Sequence, residues 1–511
     1  MSTETPAHAH APEPGRDALD ADVIVVGAGN AGFSAAHAAR LAGLRVLVLE
    51  REPKDRAGGN SYYTAGATRI AHNGLDDLRD LIEPDPRIER ATVPPYPADE
   101  YAADLARVTN GRNDPDLTRV LVEDSQDTLR WLQRLGLAYR LMFERQAYET
   151  EGGYLFWGGL HIGNVGGGEG NIADHTRVAE ELGEDVRYGV HCVDLIVEDG
   201  QVVGVVGVDA SGGARREYRA RAVVLAAGGF EANAELREQY LGPGWARAKV
   251  RGTPANTGDM LLAALAHGAA RGGDWSTAHS VQWDAFSAQN ESNRELTNRL
   301  TRQSYPLGII VNRDGNRFVD EGADFRNYTY AKYGRWILEQ PGSVAWQIFD
   351  ARTRPMLRSE EYDMPGVSVV TADTIEGLAT SAGIDPAGLA RTVTAFNASI
   401  ATDHRFDPNV KDGRRADVEP PKSNWALALD SAPFFAFGVT CGVTFTFGGL
   451  RGDVDGRVLD AAGAPIPGLF ACGEVLGGLF SGNYPGGSGL AAGMVFGRRA
   501  GVAAAATCRR A

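Results

Sequence analysis

DVIVVGAGNAGFSAAHAARLAGLRVLVLE, residues 22–50, decides the fold. Asp22–Val26 is a short β-branched run, suited to a strand buried on both faces. Gly27, Gly29 and Gly32 follow at G-x-G-x-x-G spacing. The first permits the tight turn, the second lets backbone approach a pyrophosphate, and the third lets a helix pack on the strand. From Ala31 the chain is rich in Ala and Leu without Pro, so it reads as a helix with its N-terminus facing an anion. Gly43 ends that helix and Leu44–Leu49 forms a second strand. Glu50 stands 23 residues after Gly27, where a carboxylate accepts hydrogen bonds from ribose hydroxyls. Strand, turn, helix, strand and acid agree on a dinucleotide site.

The bulk properties exclude several functions. The 511 residues suffice for two or three domains, and the composition is that of a globular protein rich in glycine. A formal charge of −15 argues against nucleic acid or an anionic membrane as partner. No apolar run reaches membrane-spanning length. Residues 1–20 lack a signal pattern and read as a flexible arm. Cys192, Cys441, Cys472 and Cys508 stand apart without metal-ligand spacing, so no metal is expected and a cytoplasmic location with reduced thiols is.

Outward from the fingerprint, Arg51 is followed by AGGNS (57–61), a small-residue loop able to set N–H groups against a phosphate or a flat ring. Leu117–Leu135 and Ile172–Leu182 have helical spacing. Glu149–Asn171 is Gly-rich around Tyr154, Phe156, Trp157 and His161, the composition of a lid or binding loop. Val190–Val208 reads as two strands joined at Glu198–Gly200, and Ala222–Phe230 as a buried strand ending in AAGG. NTGD (256–259) opens a helix over Met260–Ala270, Pro306–Phe318 reads as a hairpin, and Thr371–Asn397 as helical. The final third holds PGLFACGE (467–474) and NYPGGSGL (483–490).

Taken in order, these motifs resemble the succinate dehydrogenase/fumarate reductase flavoprotein superfamily over nearly the whole chain. GGNS…TAG, DEGADFRNYTYAKYG, TCGVTFTFGG and NYPGGSGL look most like its FAD-dependent tricarballylate dehydrogenase branch, and NYPGG also resembles the Tyr-Pro-Gly segment of 3-ketosteroid Δ1-dehydrogenases. The resemblance implies an α/β fold: a Rossmann-like FAD-binding domain of the two-dinucleotide-binding-domain flavoprotein type at 21–244 and 356–507, with an inserted α+β capping domain at 245–355. It places Gly27, Gly29, Asn30, Gly32, Glu50, Arg51, Gly59, Asn60, Ser61, Val193, Ala226, Gly228, Asp259, Glu474, Gly489 and Leu490 at FAD. The helix beginning at Gly489 and Leu490 would stabilise negative charge on the reduced ring. The superfamily's membrane members tether FAD to a His before the first-domain Gly-Gly; none lies between Arg51 and Gly59, so noncovalent FAD is expected.

The reaction implied is insertion or removal of a C=C bond next to a carbonyl or carboxylate, with hydride moving between substrate and flavin N5 and a proton moving at the α-carbon. Arg326 falls near the superfamily's proton-carrying Arg, one residue out of register, and as a poor base it would need a relay partner such as Asp324 or Glu321. His279 falls at a substrate-binding His. Arg302 is the expected bidentate carboxylate clamp among Arg294, Arg299 and Arg302. Phe445 and Tyr484 replace a His and an Arg of the dicarboxylate enzymes, which disfavours succinate and fumarate. Tyr484 can instead hydrogen-bond a carbonyl and stabilise an enolate. A tricarballylate-like polycarboxylate thus competes with a cyclic ketone or steroid-like substrate. The electron acceptor is an unidentified quinone, electron-transfer protein or oxygen. A flavin monooxygenase shares the first fingerprint, but no second G-x-G-x-x-G is present for a nicotinamide cofactor. A non-catalytic FAD-binding module would need neither Arg326 nor a capping domain.

Overall fold

The central sheet has six strands, and the Val-, Leu- and Ala-rich ones at its middle are apolar on both faces and must be covered twice. The computed structural model describes residues 19–287 and 292–509, so most of the N-terminal arm lies outside the described residues. The order is Arg457–Leu459, Pro465–Ala471, Ala222–Leu225, Val23–Val26, Val46–Glu50, Asp185–Tyr188; all neighbours are parallel except the first pair. Their carboxyl ends bring Gly27, Glu50, Ala226 and Cys472 to one edge, where open α/β sheets bind ligands.

The first helix, Asn30–Leu41, and the C-terminal helix, Ser488–Cys508, cover one face. A glycine at every fourth position permits their close contact: a Cβ at Gly497 would sit 2.4 Å from the Ala31 carbonyl oxygen, and one at Gly501 would sit 2.2 Å from that of Ala35. Gly32 plays the same part toward the turn, since its Cβ would meet the Gly27 carbonyl oxygen at 1.9 Å. Val190–Glu198, Gln201–Asp209 and Arg215–Arg219 form an antiparallel sheet that turns at Asp199–Gly200.

A second sheet is organised on one long strand, Phe434–Leu450. Its first half pairs with Ala345–Phe349 and Val369–Ala372, and its second half with Arg271–Asp284 and Lys249–Val250; Ile309–Val311 completes the sheet. The helices Ile375–Ala382 and Pro386–Ala398 bury Leu378, Leu389 and Phe396 against Ile309, Trp346 and Phe434 of this sheet. The boundary expected at 355 therefore runs through one packed unit rather than along its edge.

Several local expectations are corrected. Thr371–Asn397 is not one helix, because Gly383, with φ 74°, and Pro386 divide it in two. The 306–318 hairpin shrinks to the strand Ile309–Val311 and a single bridge from Val311 to Arg317. The Gly-rich stretch is no loose lid: Ala147–Thr150 pairs with Gly153–Phe156, and Ile162–Asn164 joins another small sheet. Its aromatic groups pack on one another and on Phe143, with His161 paired to His72 at 3.0 Å.

Candidate active site

One cavity runs from the glycine turn, past the carboxyl edge of the parallel sheet, to the underside of the second sheet. At its first end, Glu50 is buried, its oxygens accepting the Glu52 N–H at 2.9 Å and the Ala28 N–H at 2.8 Å. Burial nevertheless pushes its carboxyl above the usual range, so a further donor such as a ribose hydroxyl is favourable there. Arg51 reaches across to Ala255 O (2.9 Å), Thr257 Oγ1 (2.5 Å) and Asp259 Oδ2 (3.3 Å). His191 Nε2 lies 3.2 Å from the same carboxylate. Burial opposes ionisation of Asp259, but Thr257, His191 and Arg51 outweigh it and hold the carboxyl below its usual range.

In the middle of the cavity, Gly59, Asn60 and Ser61 line the wall as a short helical turn. Ser61 Oγ accepts the Asn30 N–H at 3.1 Å. Asn60 Nδ2 donates to Glu231 Oε1 and to Thr444 O, both at 2.6 Å. Glu474 Oε1 accepts from Thr446 N–H (2.6 Å) and Oγ1–H (2.9 Å). Buried beside each other, Glu231 and Glu474 both have raised carboxyls, burial being the main cause; a like-charged pair of this kind retains a proton. Ala226, Gly228, Gly489 and Leu490 also line this region. Among the described residues, the N–H groups of Gly489 and Leu490 have no backbone partner and open the C-terminal helix toward the cavity. Two expected residues stand off the wall: Gly32 under the turn, and Val193, whose neighbours His191 and Cys192 line the cavity instead.

The far end carries cations and phenols. Tyr484 is buried among Phe445, Phe447, Phe480 and His279, and its hydroxyl lies 2.5 Å from that of Tyr330. Burial, and then the neighbouring Tyr330, push the Tyr484 phenol well above its usual value, so it is a neutral donor at neutral pH. Arg326 lines the wall, donating to Gln303 Oε1 at 2.9 Å and to the Arg145 carbonyl, with its guanidinium 5.3 Å from the Trp157 ring centre. Burial first, then the like charges of Arg358 and Arg145, depress Arg326 to about 9. Arg145, depressed by burial to about 10, also lines the cavity and pairs with Glu360 and Glu361. Arg251 is 8% exposed. It donates to Thr444 Oγ1 at 2.9 Å, leaves Nε without a partner, and has no ion pair among the described residues. A buried guanidinium in that state attracts an anion.

Three catalytic expectations need correction. Arg302 is fully buried away from this wall, donating to Asp284 Oδ2 at 2.5 Å and to the Thr301 and Arg299 carbonyls. It is not placed to clamp a ligand. His279 lies behind the wall: cross-strand pairing stacks it on Phe445 at 5.2 Å, and burial drives it well below its usual pKa. The relay partners considered for Arg326 are engaged elsewhere, Asp324 with Arg107 at 2.5 Å and Glu321 with Arg317 at 2.5 Å. Arg145, Arg251, Gln303 and Tyr330 are the residues sequence reasoning missed. Of these, only Tyr330 had a signal, lying four residues beyond Arg326 in the quoted DEGADFRNYTYAKYG stretch.

The glycine cradle, Glu50 with open acceptor capacity and the free N–H groups of the C-terminal helix fit FAD. Residues 22–490 match the FAD binding domain family. The probable fumarate reductase Ifc3 of Shewanella frigidimarina (strain NCIMB 400) is 32% identical over 498 residues, covering 94% of this chain and 74% of that protein. The 4-oxocyclohex-2-ene-1-carboxylate 5-dehydrogenase of Sinomonas cyclohexanicum is 29% identical, covering 94% and 93% respectively. The crystal structure of 3-ketosteroid delta1-dehydrogenase from Sterolibacterium denitrificans superposes with a TM-score of 0.73 at 25% identity, covering 95% of this chain and 99% of that one. The chain therefore belongs to the FAD binding domain family, within the succinate dehydrogenase/fumarate reductase flavoprotein superfamily, and is an FAD-dependent oxidoreductase acting on CH–CH groups. Among the described residues no helix is long and apolar enough to cross a membrane.

Proposed function

We propose that this member of the FAD binding domain family forms or reduces a C=C bond in a cyclic oxo acid, with the bond α,β to the carbonyl. The carrying observation is that one end of the cavity holds both Arg251, a buried cation with no carboxylate partner among the described residues, and the Tyr330–Tyr484 hydroxyl pair. An arginine asks for an anion, whereas a neutral phenol donates one hydrogen bond to a carbonyl oxygen. An oxo acid satisfies both. The substrate named for the Sinomonas relative, 4-oxocyclohex-2-ene-1-carboxylate, has this chemistry. A polycarboxylate such as tricarballylate is the second reading. Arg145, Arg251 and Arg326 favour it, but it leaves the tyrosine pair without a partner of matching charge.

Bound FAD, held noncovalently, supplies hydride acceptance or donation at its ring. Arg251 anchors the substrate carboxylate, with Arg145 adding positive charge. Tyr484, its hydroxyl oriented by Tyr330, donates to the carbonyl oxygen as negative charge develops there. Arg326, which lines the same end of the cavity, serves as proton carrier in this reading. Gln303 Oε1 accepts from both Arg326 (2.9 Å) and Arg358 (3.2 Å), and Arg358 pairs with Glu360, so charge and hydrogen bonds continue from Arg326 to a carboxylate with 40% exposure. Anaerobic mixing of the holoenzyme with cyclic ketones, oxo acids and polycarboxylates tests the reading. Flavin bleaching by the oxo acid alone supports it, and bleaching by neutral ketones with equal efficiency refutes the anion anchor.

A further inference from the structure

Beneath the cavity, a buried chain of polar groups crosses between the two helices that open onto the cofactor. Glu184 Oε1 lies 2.8 Å from His37 Nδ1. His37 Nε2 lies 3.1 Å from His175 Nδ1, and His175 Nε2 lies 3.2 Å from Asn30 Oδ1. Asn30 Nδ2 donates at 2.9 Å to Leu490 O, in the first turn of the C-terminal helix. His37 and His175 are both wholly buried, stacked on each other at 5.3 Å and on Phe33 at 5.8 and 5.6 Å. The other charged groups of the packed elements are occupied elsewhere. Arg40 donates to Leu182 O at 2.7 Å, Lys54 pairs with Glu180 at 2.9 Å, and Arg177 pairs with Glu181 at 2.9 Å and with Asp174. The C-terminal helix packs Gly493, Gly497 and Gly501 against the first helix, and Arg509 at its end donates to the Ala42 carbonyl.

The donors and acceptors in this chain can be counted from one end. A carbonyl oxygen only accepts, so the group of Asn30 facing Leu490 O is its NH₂, and its Oδ1 faces His175. His175 therefore donates from Nε2 and presents a lone pair at Nδ1. His37 must then donate from Nε2. Its Nδ1, at 2.8 Å from Glu184, leaves one proton to be held between imidazole and carboxyl. Glu184 Oε2, buried and without a partner, makes a fully ionised carboxylate facing a neutral imidazole unfavourable.

We propose that Glu184, His37 and His175 are positioning residues that hold the Asn30 amide in the orientation needed to clamp Leu490, and that they do so through the one proton shared by Glu184 and His37. Loss of that proton reverses the chain. His37 then donates from Nδ1 to the carboxylate, His175 must donate from Nδ1, and its Nε2 lone pair faces Asn30 Oδ1. Asn30 Oδ1 then keeps only the Asn171 Nδ2 donor at 3.5 Å, and its clamp on Leu490 weakens. The two helix N-termini at the cavity are thereby kept in register while that proton is held.

The test uses full-length protein labelled with ¹⁵N-histidine, together with FAD affinity measured by fluorescence from pH 6 to 10. His175 is expected as the Nε2–H form at neutral pH. FAD affinity is expected to fall as pH rises in the parent, but to be flat in Glu184→Gln, whose amide donates to His37 Nδ1 without a proton to lose. Glu184→Leu, which leaves Nδ1 unpartnered, is expected to weaken FAD about tenfold. A His175 Nδ1–H form at neutral pH overturns the proposal. So does the same pH profile of FAD affinity in Glu184→Gln as in the parent, a result readable even if Glu184→Leu fails to fold.

Discussion

The hydroxyls of Tyr330 and Tyr484 lie 2.5 Å apart at the wall of the cavity, inside a cage of Phe445, Phe480 and His279. Only one of the two protons can lie in that short bond. The pair therefore presents one O–H to whatever occupies the cavity, and the second tyrosine fixes its direction.

Tyr484→Phe keeps the ring and removes the donor. The anaerobic flavin-reduction rate is expected to fall by about 10²-fold with substrate affinity little changed, the usual effect of losing an oxyanion donor. Tyr330→Phe should cost less, and the double variant should cost little more than Tyr484→Phe because the two act as one unit. Additive losses would separate their roles.

Arg251→Met removes a buried cation that has no carboxylate partner among the described residues. The expected result is a KM raised roughly tenfold or more, with kcat changed less, since a charge-assisted contact is worth about 1.5–3 kcal/mol and is present in ground and transition states alike. The ligand-free melting temperature should not fall, because an apolar side chain replaces an uncompensated charge. An unchanged KM would remove Arg251 from the substrate site.

Arg326→Ala should leave FAD binding intact and slow turnover by about 10²-fold or more if the guanidinium carries the proton. Near-parental turnover at saturating substrate would make Arg326 structural and move the search to Arg145 and Arg358.

Glu360 gives a pH test. Burial opposes its ionisation, but Arg145 and Arg358 outweigh this and hold it at about 2, against the usual 4.5. The unfolded chain then binds more protons between those values, so the contribution is complete above pH 4.5 and is lost as pH falls toward 2. Acid unfolding followed by fluorescence should therefore show a smaller loss between those limits in Glu360→Gln than in the parent.

Gly501→Val checks the helix contact on which the site rests. A Cβ there would stand 2.2 Å from the Ala35 carbonyl oxygen, so one helix must shift. Overpacking of this kind typically costs about 1–3 kcal/mol. A parental melting temperature with parental FAD affinity would show that the close approach is not needed.

Much of the nucleotide end was legible in the sequence because its signals are local. Gly27, Gly29, Gly32 and Glu50 lie in one strand–turn–helix–strand unit, and backbone geometry sets their spacing. The far end of the cavity is assembled from Arg145, Arg251, Arg326 and Tyr484, which come together only through the fold. Arg302 and Arg251 look alike in sequence. They differ because Asp284, 18 residues before Arg302, meets the first, whereas no described acid meets the second. The Gly-rich stretch misled because its glycines serve close approach: a Cβ at Gly159 would stand 2.5 Å from Tyr96. His279 was found near the site by resemblance, but its cross-strand pairing with Phe445 sets it one layer behind the wall.

Noncovalent attachment is read directly by acid precipitation of the yellow protein. FAD should appear in the supernatant, and flavin that stays with the polypeptide would contradict the expectation.

In the proposed function, Arg251 and the tyrosine pair together select a substrate bearing both a carboxylate and a ketone. The most direct measurement is single-turnover anaerobic flavin reduction by a cyclic 4-oxo acid, the matching ketone without its carboxylate, and a polycarboxylate, in the parent, Arg251→Met and Tyr484→Phe. Fast bleaching by the oxo acid is expected, weakened in saturation by Arg251→Met and in rate by Tyr484→Phe. Fast bleaching by the polycarboxylate that Tyr484→Phe leaves unchanged would contradict it.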